Sequence, residues 1–367
     1  MNLGITRRGF LGVLCALPLL PLQASASRQR GQVFVNGHID RNNTHHISGF
    51  DSNGTEFFRH ALPDKAHGFA VNPSHPGQIA ALPSLPGTQA PVFDLNSGQQ
   101  IALMTSRPGR HFNGHGCFSH DGRYLYTSEN IAANAQGVIG VRDGRTFRLL
   151  RELPGHGIGP HDIRILPDDR TLVVASGGIQ THPDSGKREL NINTMQSALL
   201  YIDSRDGRLL ARHQLPVDQL SIRHFDVGSD GTVLVACQYK GNSKLPALVG
   251  VQRGATGIEM LEIDDDDLWP LKQYCADARI AGNGVGAVSC PRGNRLTLWN
   301  LTEKRFIKAI EIKDVGGLEV SLGGNAFIAS ANTGELYRID ATSLTSRRIG
   351  TTWNGAKWTN HMVSSDV

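Results

Sequence analysis

Five histidines occupy the same place in successive segments of this chain, at the start of a short strand-like run. They are His67, His115, His161, His224 and His361. In the first four segments, a turn rich in Gly, Pro and Asp follows the run. Imidazole is the commonest side-chain ligand of transition metals, so repeats that bring these residues together would create a metal site.

The residue types at these positions favour particular ions. Neutral imidazole suits Cu(II), Fe(II) and Zn, and no Cys or Met is present there to favour Cu(I). Three or four of the histidines would bind one ion, or the set would bind two. Asp277 takes the equivalent place in a further segment, where its carboxylate would bind the ion or orient a histidine. His156 is a further candidate ligand or base. Asp162 follows His161 directly, so in a regular strand it would face the opposite side.

Arginines near the segment starts predict contact with a small anion. Arg110, Arg164 and Arg223 each lie within a few residues of such a start. A guanidinium group binds carboxylate or phosphate through paired hydrogen bonds. The alternative for each arginine is an ordinary ion pair at the surface. For the histidines, the alternatives are a structural hydrogen-bonding role and general acid–base chemistry.

Strand-like runs that recur along the chain must position these side chains. Residues 92–103 and 336–349 show the common form, in which an alternating strand ends in Asp, a short turn follows and a second strand begins. Six such units start near His67, His115, His161, His224, Asp277 and Gly317. Most of their spacings fit the period of a β-propeller repeat. No amphipathic helical stretch of ordinary length follows residue 26.

The two ends of the chain predict a seventh, shared unit. Residues 358–363 would supply its inner strand, and residues 32–38, 46–51 and 56–62 its outer three. Sharing one sheet between the termini closes the ring and removes exposed strand edges. The sequence therefore predicts an all-β fold, a seven-bladed β-propeller, with six or eight blades as the alternatives. In that fold the five histidines converge at one mouth of the central channel.

The first 26 residues read as an export signal. Residues 6–11 have a twin-arginine pattern, residues 10–22 are apolar, and residues 24–26 form a small-residue cleavage site. The apolar stretch is too short to span a bilayer. We therefore expect a periplasmic protein exported in folded form, with residues 27–367 as one propeller domain and no membrane span. Loss of Arg7 and Arg8 would leave the chain nearly neutral, which argues against nucleic-acid binding.

Two further features bear on function and stability. Residues 177–196 form a polar insertion that lengthens one repeat, and long loops on compact scaffolds are usually functional or disordered. Cys275 and Cys290 are the cysteines that neighbouring strands would most readily bring together. In an oxidising compartment they would form a disulfide, and the alternative is that they are small buried residues.

Several segments resemble the DUF1513 family. They are GHGCFSHDGRYLYTSEN, GVIGVRD, HGIGPHDIRILPDDRTLVVASGGIQTHPDSGK and LNINTM. The resemblance covers nearly all of the chain after the signal and implies an exported bacterial propeller of the YVTN/WD40-like type. Members often carry Glu after the histidine of the GPH motif, where this chain has Asp162. The gene neighbourhoods of the family imply a link to periplasmic iron or copper handling, with iron-uptake proteins as partners. The resemblance implies no reaction.

Three hypotheses for function follow. The first is a periplasmic protein that binds a transition metal in the propeller channel and takes part in metal handling. The second is an enzyme that acts on a small anionic substrate through the histidines or a bound metal, although propellers host unrelated activities. The third is a scaffold whose face and insertion dock a component of an uptake system.

Overall fold

The computed structural model describes residues 31–186, 188–350, 353 and 355–366. The predicted signal segment, residues 1–26, lies outside the described residues, so export stays a prediction. Among the residues that are described, no helix is long and apolar enough to cross a membrane.

The described chain forms seven antiparallel sheets of four strands each, which we call blades 1 to 7. Blade 1 consists of β1 (Gln32–Ile39), β2 (His45–Phe50), β3 (Glu56–Leu62) and β28 (Lys357–Asp366). Blade 2 consists of β4 (Ala66–Val71), β5 (Gln78–Pro83), β6 (Gln89–Asp94) and β7 (Gln99–Thr105). Blade 3 consists of β8 (Arg110–Phe118), β9 (Tyr124–Ile131), β10 (Gln136–Asp143) and β11 (Leu149–Ile158). Blade 4 consists of β12 (Pro160–Ile165), β13 (Thr171–Ser176), β14 (Ala198–Asp203) and β15 (Leu209–Gln214).

The remaining three blades repeat this plan. Blade 5 consists of β16 (Leu220–Val227), β17 (Val233–Tyr239), β18 (Val249–Gln252) and β19 (Glu259–Met260). Blade 6 consists of β20 (Asp277–Ile280), β21 (Val285–Cys290), β22 (Arg295–Asn300) and β23 (Arg305–Glu311). Blade 7 consists of β24 (Val315–Val320), β25 (Ala326–Ala331), β26 (Leu336–Asp340) and β27 (Ser346–Ile349). The short helical elements are α1 (Asp265–Leu268) and 3₁₀ turns at Pro183–Ser185, Ile192–Thr194, Trp269–Leu271 and Pro291–Gly293.

Blade 1 joins the two ends of the ring, as the sequence predicts. Strand β28 pairs antiparallel with β1, and Val35 faces Val363 in their register. The inner strand of this blade therefore comes from the C-terminal end and its outer strands from the N-terminal end. The seven-bladed propeller and its shared blade are confirmed.

Apolar side chains fill the space between neighbouring blades. One core cluster joins Leu199 of blade 4 to Phe225 and Val235 of blade 5 and to Trp299 of blade 6, all of which are buried. Burial of such surface on both faces of each sheet is the main stabilising contribution to the fold. The core therefore holds the inner strands, and the side chains that they carry, at fixed positions around the channel.

The inner strands are irregular towards their N-terminal ends, near the histidines. His115, His224 and His361 lie inside β8, β16 and β28, not at the strand starts that the sequence predicts. In six of the seven blades the pairing of the described inner strand shifts register near this end. The shift skips His67 in β4, His161 and Asp162 in β12, and Arg223 in β16. A β-bulge bends its strand and changes where side chains point. Adjacent residues at a bulge can therefore face the channel together, which a regular strand does not allow.

The two cysteines predicted to be neighbours lie close together. The Sγ atoms of Cys275 and Cys290 are 3.7 Å apart, and both side chains are buried without a bond between them. Disulfide formation between these residues stays a prediction.

A buried histidine in blade 1 makes the fold sensitive to acid. His38 is 2% exposed, and neither ring nitrogen has a hydrogen-bond partner among the described residues. Its ring stacks on His46 with centroids 5.0 Å apart and lies 4.9 Å from that of Trp358. Burial, reinforced by the nearby charges of His46 and Arg59, lowers the pKa of His38 to about 4.

This pKa shift gives a prediction for stability against pH. The unfolded chain takes up a proton near pH 6.5, whereas folded His38 does not until about pH 4. Stability is therefore lost as the pH falls from about 6.5 to about 4. Allowing for relaxation of the site, we expect His38→Phe to reduce the loss of unfolding free energy between pH 7 and pH 4.5 by about 1–2 kcal/mol. Urea unfolding at both pH values measures this, and equal losses in the two proteins would contradict it.

Candidate metal centre

Four histidines from four consecutive blades meet at one mouth of the channel. They are His67 of β4, His115 of β8, His161 of β12 and His224 of β16. Each offers one ring nitrogen, and these atoms all lie within 4.8 Å of one another. The Nε2 atoms of His67 and His161 are 3.3 Å apart. His67 is half-buried and the other three are buried. We call these four residues the histidine group, and they could hold a metal ion.

His361 of β28 adjoins the histidine group. Its ring centroid is 4.2 Å from that of His224 and 4.6 Å from that of His67. Its Nε2 atom is buried and has no hydrogen-bond partner among the described residues. The structure therefore brings all five sequence-predicted histidines to one place, with His361 beside the four nitrogens that converge most closely.

The carboxylate of Asp162 contacts two of these histidines. Its Oδ1 atom is 3.5 Å from Nδ1 of His115, and its Oδ2 atom is 3.8 Å from Nδ1 of His224. The carboxylate also accepts hydrogen bonds from the backbone N–H groups of Ile163 and Phe225, at 2.9 and 3.4 Å. β12 is not a regular strand at this point, because its register shifts at His161 and Asp162, and the Asp162 carboxylate reaches the histidine group.

The carboxylate of Asp277 contacts His361 in a similar way. Its Oδ2 atom is 3.7 Å from Nδ1 of His361 and accepts a hydrogen bond from the backbone N–H of Leu318 at 3.0 Å. Its Oδ1 atom accepts one from Arg279 at 2.8 Å. Burial raises the pKa of Asp277 to about 7, although Arg279 opposes the rise. A carboxylate on Nδ1 leaves Nε2 of the same ring for a ligand, so the contacts favour an orienting role over direct binding.

The electrostatics keep the imidazoles in the form that binds metals. Burial lowers the pKa of His115 to about 3 and that of His161 well below its usual value. These rings are therefore neutral at pH 7 and each has a nitrogen lone pair. Burial alone would raise the pKa of Asp162, but His115, Arg164 and His224 outweigh it and hold this pKa below its usual range.

Several buried polar atoms at the site have no partner among the described residues. Nε2 of His115, Nδ1 of His161 and Nε2 of His361 are in this state, and so is Nδ1 of His224, which lies 3.8 Å from Oδ2 of Asp162. Unpartnered polar atoms are uncommon in protein interiors, and a cluster of them calls for an explanation such as an ion or water. Because the atoms belong to imidazoles whose other nitrogens face carboxylates or neighbouring rings, the arrangement is suited to an ion.

The other sequence-predicted residues have varied positions. His156 lies outside the histidine group, because its Nε2 atom donates to the carbonyl of Gly207 at 2.7 Å, between blades 3 and 4. Arg110 donates to Glu152 at 3.3 Å. Arg164 contacts the site through Asp162, with its Nε atom 4.0 Å from Asp162 Oδ1. Of the three arginines, Arg223 is the one that lines the cavity at the mouth.

That cavity has a volume of about 380 Å³ and opens beside the histidine group. His67, His161 and His224 form part of its lining. Residues of the insertion, Ile179 and Glu189 among them, line another side. An ion held by the histidines would therefore be reachable from the cavity.

Glycines next to the histidines are functional positions that sequence reasoning missed. A Cβ atom at Gly114 would lie 2.4 Å from Cδ2 of His67, and the backbone there has a φ of +106°. A Cβ atom at Gly68 would lie 2.5 Å from the carbonyl oxygen of Gly114. The imidazoles can approach one another because these neighbours have no side chain. Gly68 follows His67 and Gly114 precedes His115 in the sequence, and this adjacency could have indicated their role.

Gly114→Ala tests this requirement. The new methyl group meets His67 and must adopt a left-handed backbone conformation, so we expect a loss of about 1–3 kcal/mol of unfolding free energy. We also expect weaker binding of Cu(II), because His67 is displaced. Gly109→Ala is the control, since its φ is +74° but nothing lies within 4 Å of the added Cβ. Equal Cu(II) affinity in the two variants would contradict the role of Gly114 in placing His67.

Comparisons with known proteins agree with this fold. The family profile described as "Protein of unknown function (DUF1513)" matches residues 60–365. No curated protein matches the chain. Among solved structures, Kuenenia stuttgartiensis hydrazine synthase is similar, with a TM-score of 0.58 and 16% sequence identity over 83% of this chain and 89% of that chain. A likeness at this level of identity concerns the fold alone. Because the profile match covers most of its length, this chain belongs to the DUF1513 family.

Proposed function

We propose that this protein binds a transition metal ion, Cu, Fe or Zn, through the histidine group and that it serves in metal handling. The observation that carries the proposal is the convergence of four ring nitrogens within 4.8 Å of one another at the channel mouth. His361 supplies a fifth nitrogen beside them. Three or four of these imidazoles suffice for one ion, and a tetrahedral ion held by three of them has a fourth position for a further ligand.

The two carboxylates that contact the imidazole rings support this proposal. Asp162 lies against Nδ1 of His115 and of His224, and Asp277 lies against Nδ1 of His361. Metal-binding histidines usually donate their second N–H to a carboxylate or carbonyl, which fixes the tautomer and the ring orientation. The negative charge of Asp162 also offsets part of the charge of a divalent ion in a buried site.

Metal content and titration test the proposal. Protein purified from its own host, and stripped protein titrated with Cu(II), Fe(II) and Zn(II), should take up close to one ion per chain. His161→Ala should bind at least about tenfold more weakly, because it loses a ligand. His120→Ala is the matched control, since this side chain is 52% exposed and pairs with Asp169. His120 lies in the turn between β8 and β9, and Asp169 in the turn between β12 and β13. Less than roughly a tenth of an ion per chain, with no uptake on titration, would contradict the proposal.

We also propose that the protein acts in the periplasm after export by the twin-arginine pathway. The support is the pattern Thr6-Arg7-Arg8 with its apolar stretch and small-residue cleavage site. Iron-uptake proteins are the proposed partners, on the basis of the family resemblance. Replacement of Arg7 and Arg8 by lysine should leave the uncleaved protein in the cytoplasm, which cell fractionation would detect. Unchanged export of that variant would contradict the pathway.

A second candidate function is an enzyme that uses the bound ion. The cavity beside the histidine group favours it, because a small substrate could reach the ion from there. A screen of small anionic substrates in which His161→Ala retains every activity would remove this candidate.

A further inference from the structure

The cavity beside the histidine group has a second chemical feature, a positively charged side chain in its lining. Arg223 lines it directly next to His224, and the bulge in β16 lets these adjacent residues face the same mouth. Among the described residues, no carboxylate lies within ion-pair distance of the Arg223 guanidinium. Lys240 also lines the cavity, but its Nζ atom is 2.6 Å from Glu189 of the insertion. The charge of Arg223 is thus available to a ligand.

A buried amide points to a ligand in the same cavity. Asn130 lines it and is 1% exposed, and its Oδ1 atom has no hydrogen-bond partner among the described residues. A side-chain amide offers both donors and an acceptor, and leaving either unpaired in a buried place costs free energy. A water molecule that accompanies the ligand would satisfy this acceptor, because an ionised carboxylate has no donor of its own. The volume, about 380 Å³, lies near the lower end of the range for small-molecule sites.

We propose that this cavity is a subsite for a small dicarboxylate that shares the metal ion. One carboxylate would occupy the coordination position that the imidazoles leave on the cavity side. The other would pair with the guanidinium of Arg223, whose planar group matches a carboxylate. The inference rests on the proposed metal function and deepens it, because the cargo or substrate would then be an ion together with its carboxylate ligand.

Calorimetry with Cu(II) and succinate tests the two steps separately. Cu(II) is titrated first into stripped protein, with and without succinate present, and succinate is then titrated into the copper-loaded form. We expect succinate to bind the loaded protein, and succinamate, which has one carboxylate fewer, to bind about tenfold more weakly. Arg223→Gln should weaken succinate binding by about tenfold and leave Cu(II) binding without succinate nearly unchanged. Arg110→Gln is the matched control, because Arg110 pairs with Glu152 and does not line the cavity.

The outcomes separate the subsite from the metal site. If Cu(II) binds but succinate does not, or if Arg223→Gln binds succinate as the wild type does, the subsite is refuted and metal binding stands. Copper uptake that requires succinate would support the subsite. No copper uptake either with or without succinate would overturn both proposals.

Discussion

Replacing Asp162 with asparagine should weaken Cu(II) binding by about 10- to 100-fold, the usual cost of losing a carboxylate that orients metal ligands. The reason is geometric, because the two oxygens of Asp162 face Nδ1 of His115 and Nδ1 of His224. An amide keeps one acceptor but loses the negative charge, so these two rings are less well fixed and less basic. Equilibrium competition with a chelator of known affinity measures the change.

Two further variants distinguish positioning from general destabilisation. Asp162→Glu retains the carboxylate and should recover part of the affinity, and it should restore the copper absorption and EPR spectra that Asp162→Asn alters. Asp168→Asn is the control, because Asp168 caps the turn before β13 through Thr171 and lies away from the histidine group. Wild-type affinity and spectra in Asp162→Asn would show that this carboxylate does not position the ligands.

The largest expected effect on stability comes from a buried ion pair in blade 3. Arg142 Nη2 is 2.9 Å from Glu129 Oε1, and these side chains are 2% and 0% exposed. The guanidinium also donates to the carbonyl of Thr105 in blade 2 and lies over the ring of Phe112. Arg142→Leu leaves the Glu129 charge unpaired in the interior, so we expect a loss of about 3–5 kcal/mol of unfolding free energy.

Chemical denaturation of three proteins tests this expectation. Arg305→Leu removes a surface pair with Glu303, whose side chains are 59% and 51% exposed, and should cost under about 1 kcal/mol. The double variant Arg142→Leu with Glu129→Leu should recover part of the loss, because no charge is then left unpaired. A loss for Arg142→Leu as small as that of the surface variant would contradict this expectation.

The fold was predictable because its signals are local and repeated. Alternating strands that end in Asp or Asn recur along the chain, and each turn sequence fixes its own hairpin. The division of blade 1 between residues 32–62 and β28 followed from the need to close the ring. The buried pair of Arg142 and Glu129 was not predictable in this way, because the two residues are not opposite each other in the β9–β10 hairpin, where Arg142 faces Leu125 and Glu129 faces Val138.

The candidate site was predictable in part. The positions of His67, His115, His161, His224 and His361 were marked by their recurrence at strand starts. The sequence could not exclude His156 from this set, because the glycines on either side of it predict a loop, whereas the structure places it in β11. His156 instead bonds to Gly207 on the neighbouring blade.

The sequence alone determined a propeller, with seven blades as the favoured count, and the type of side chain at its mouth, because the strand period and the repeat spacing are carried by each segment independently. Only the tertiary structure decided how those side chains face one another. The register shifts in the inner strands place both His161 and Asp162 in the channel, and they bring Arg223 to the cavity beside His224. A bulge arises from pairing with the next strand and from packing against the neighbouring blade, so no single segment encodes it.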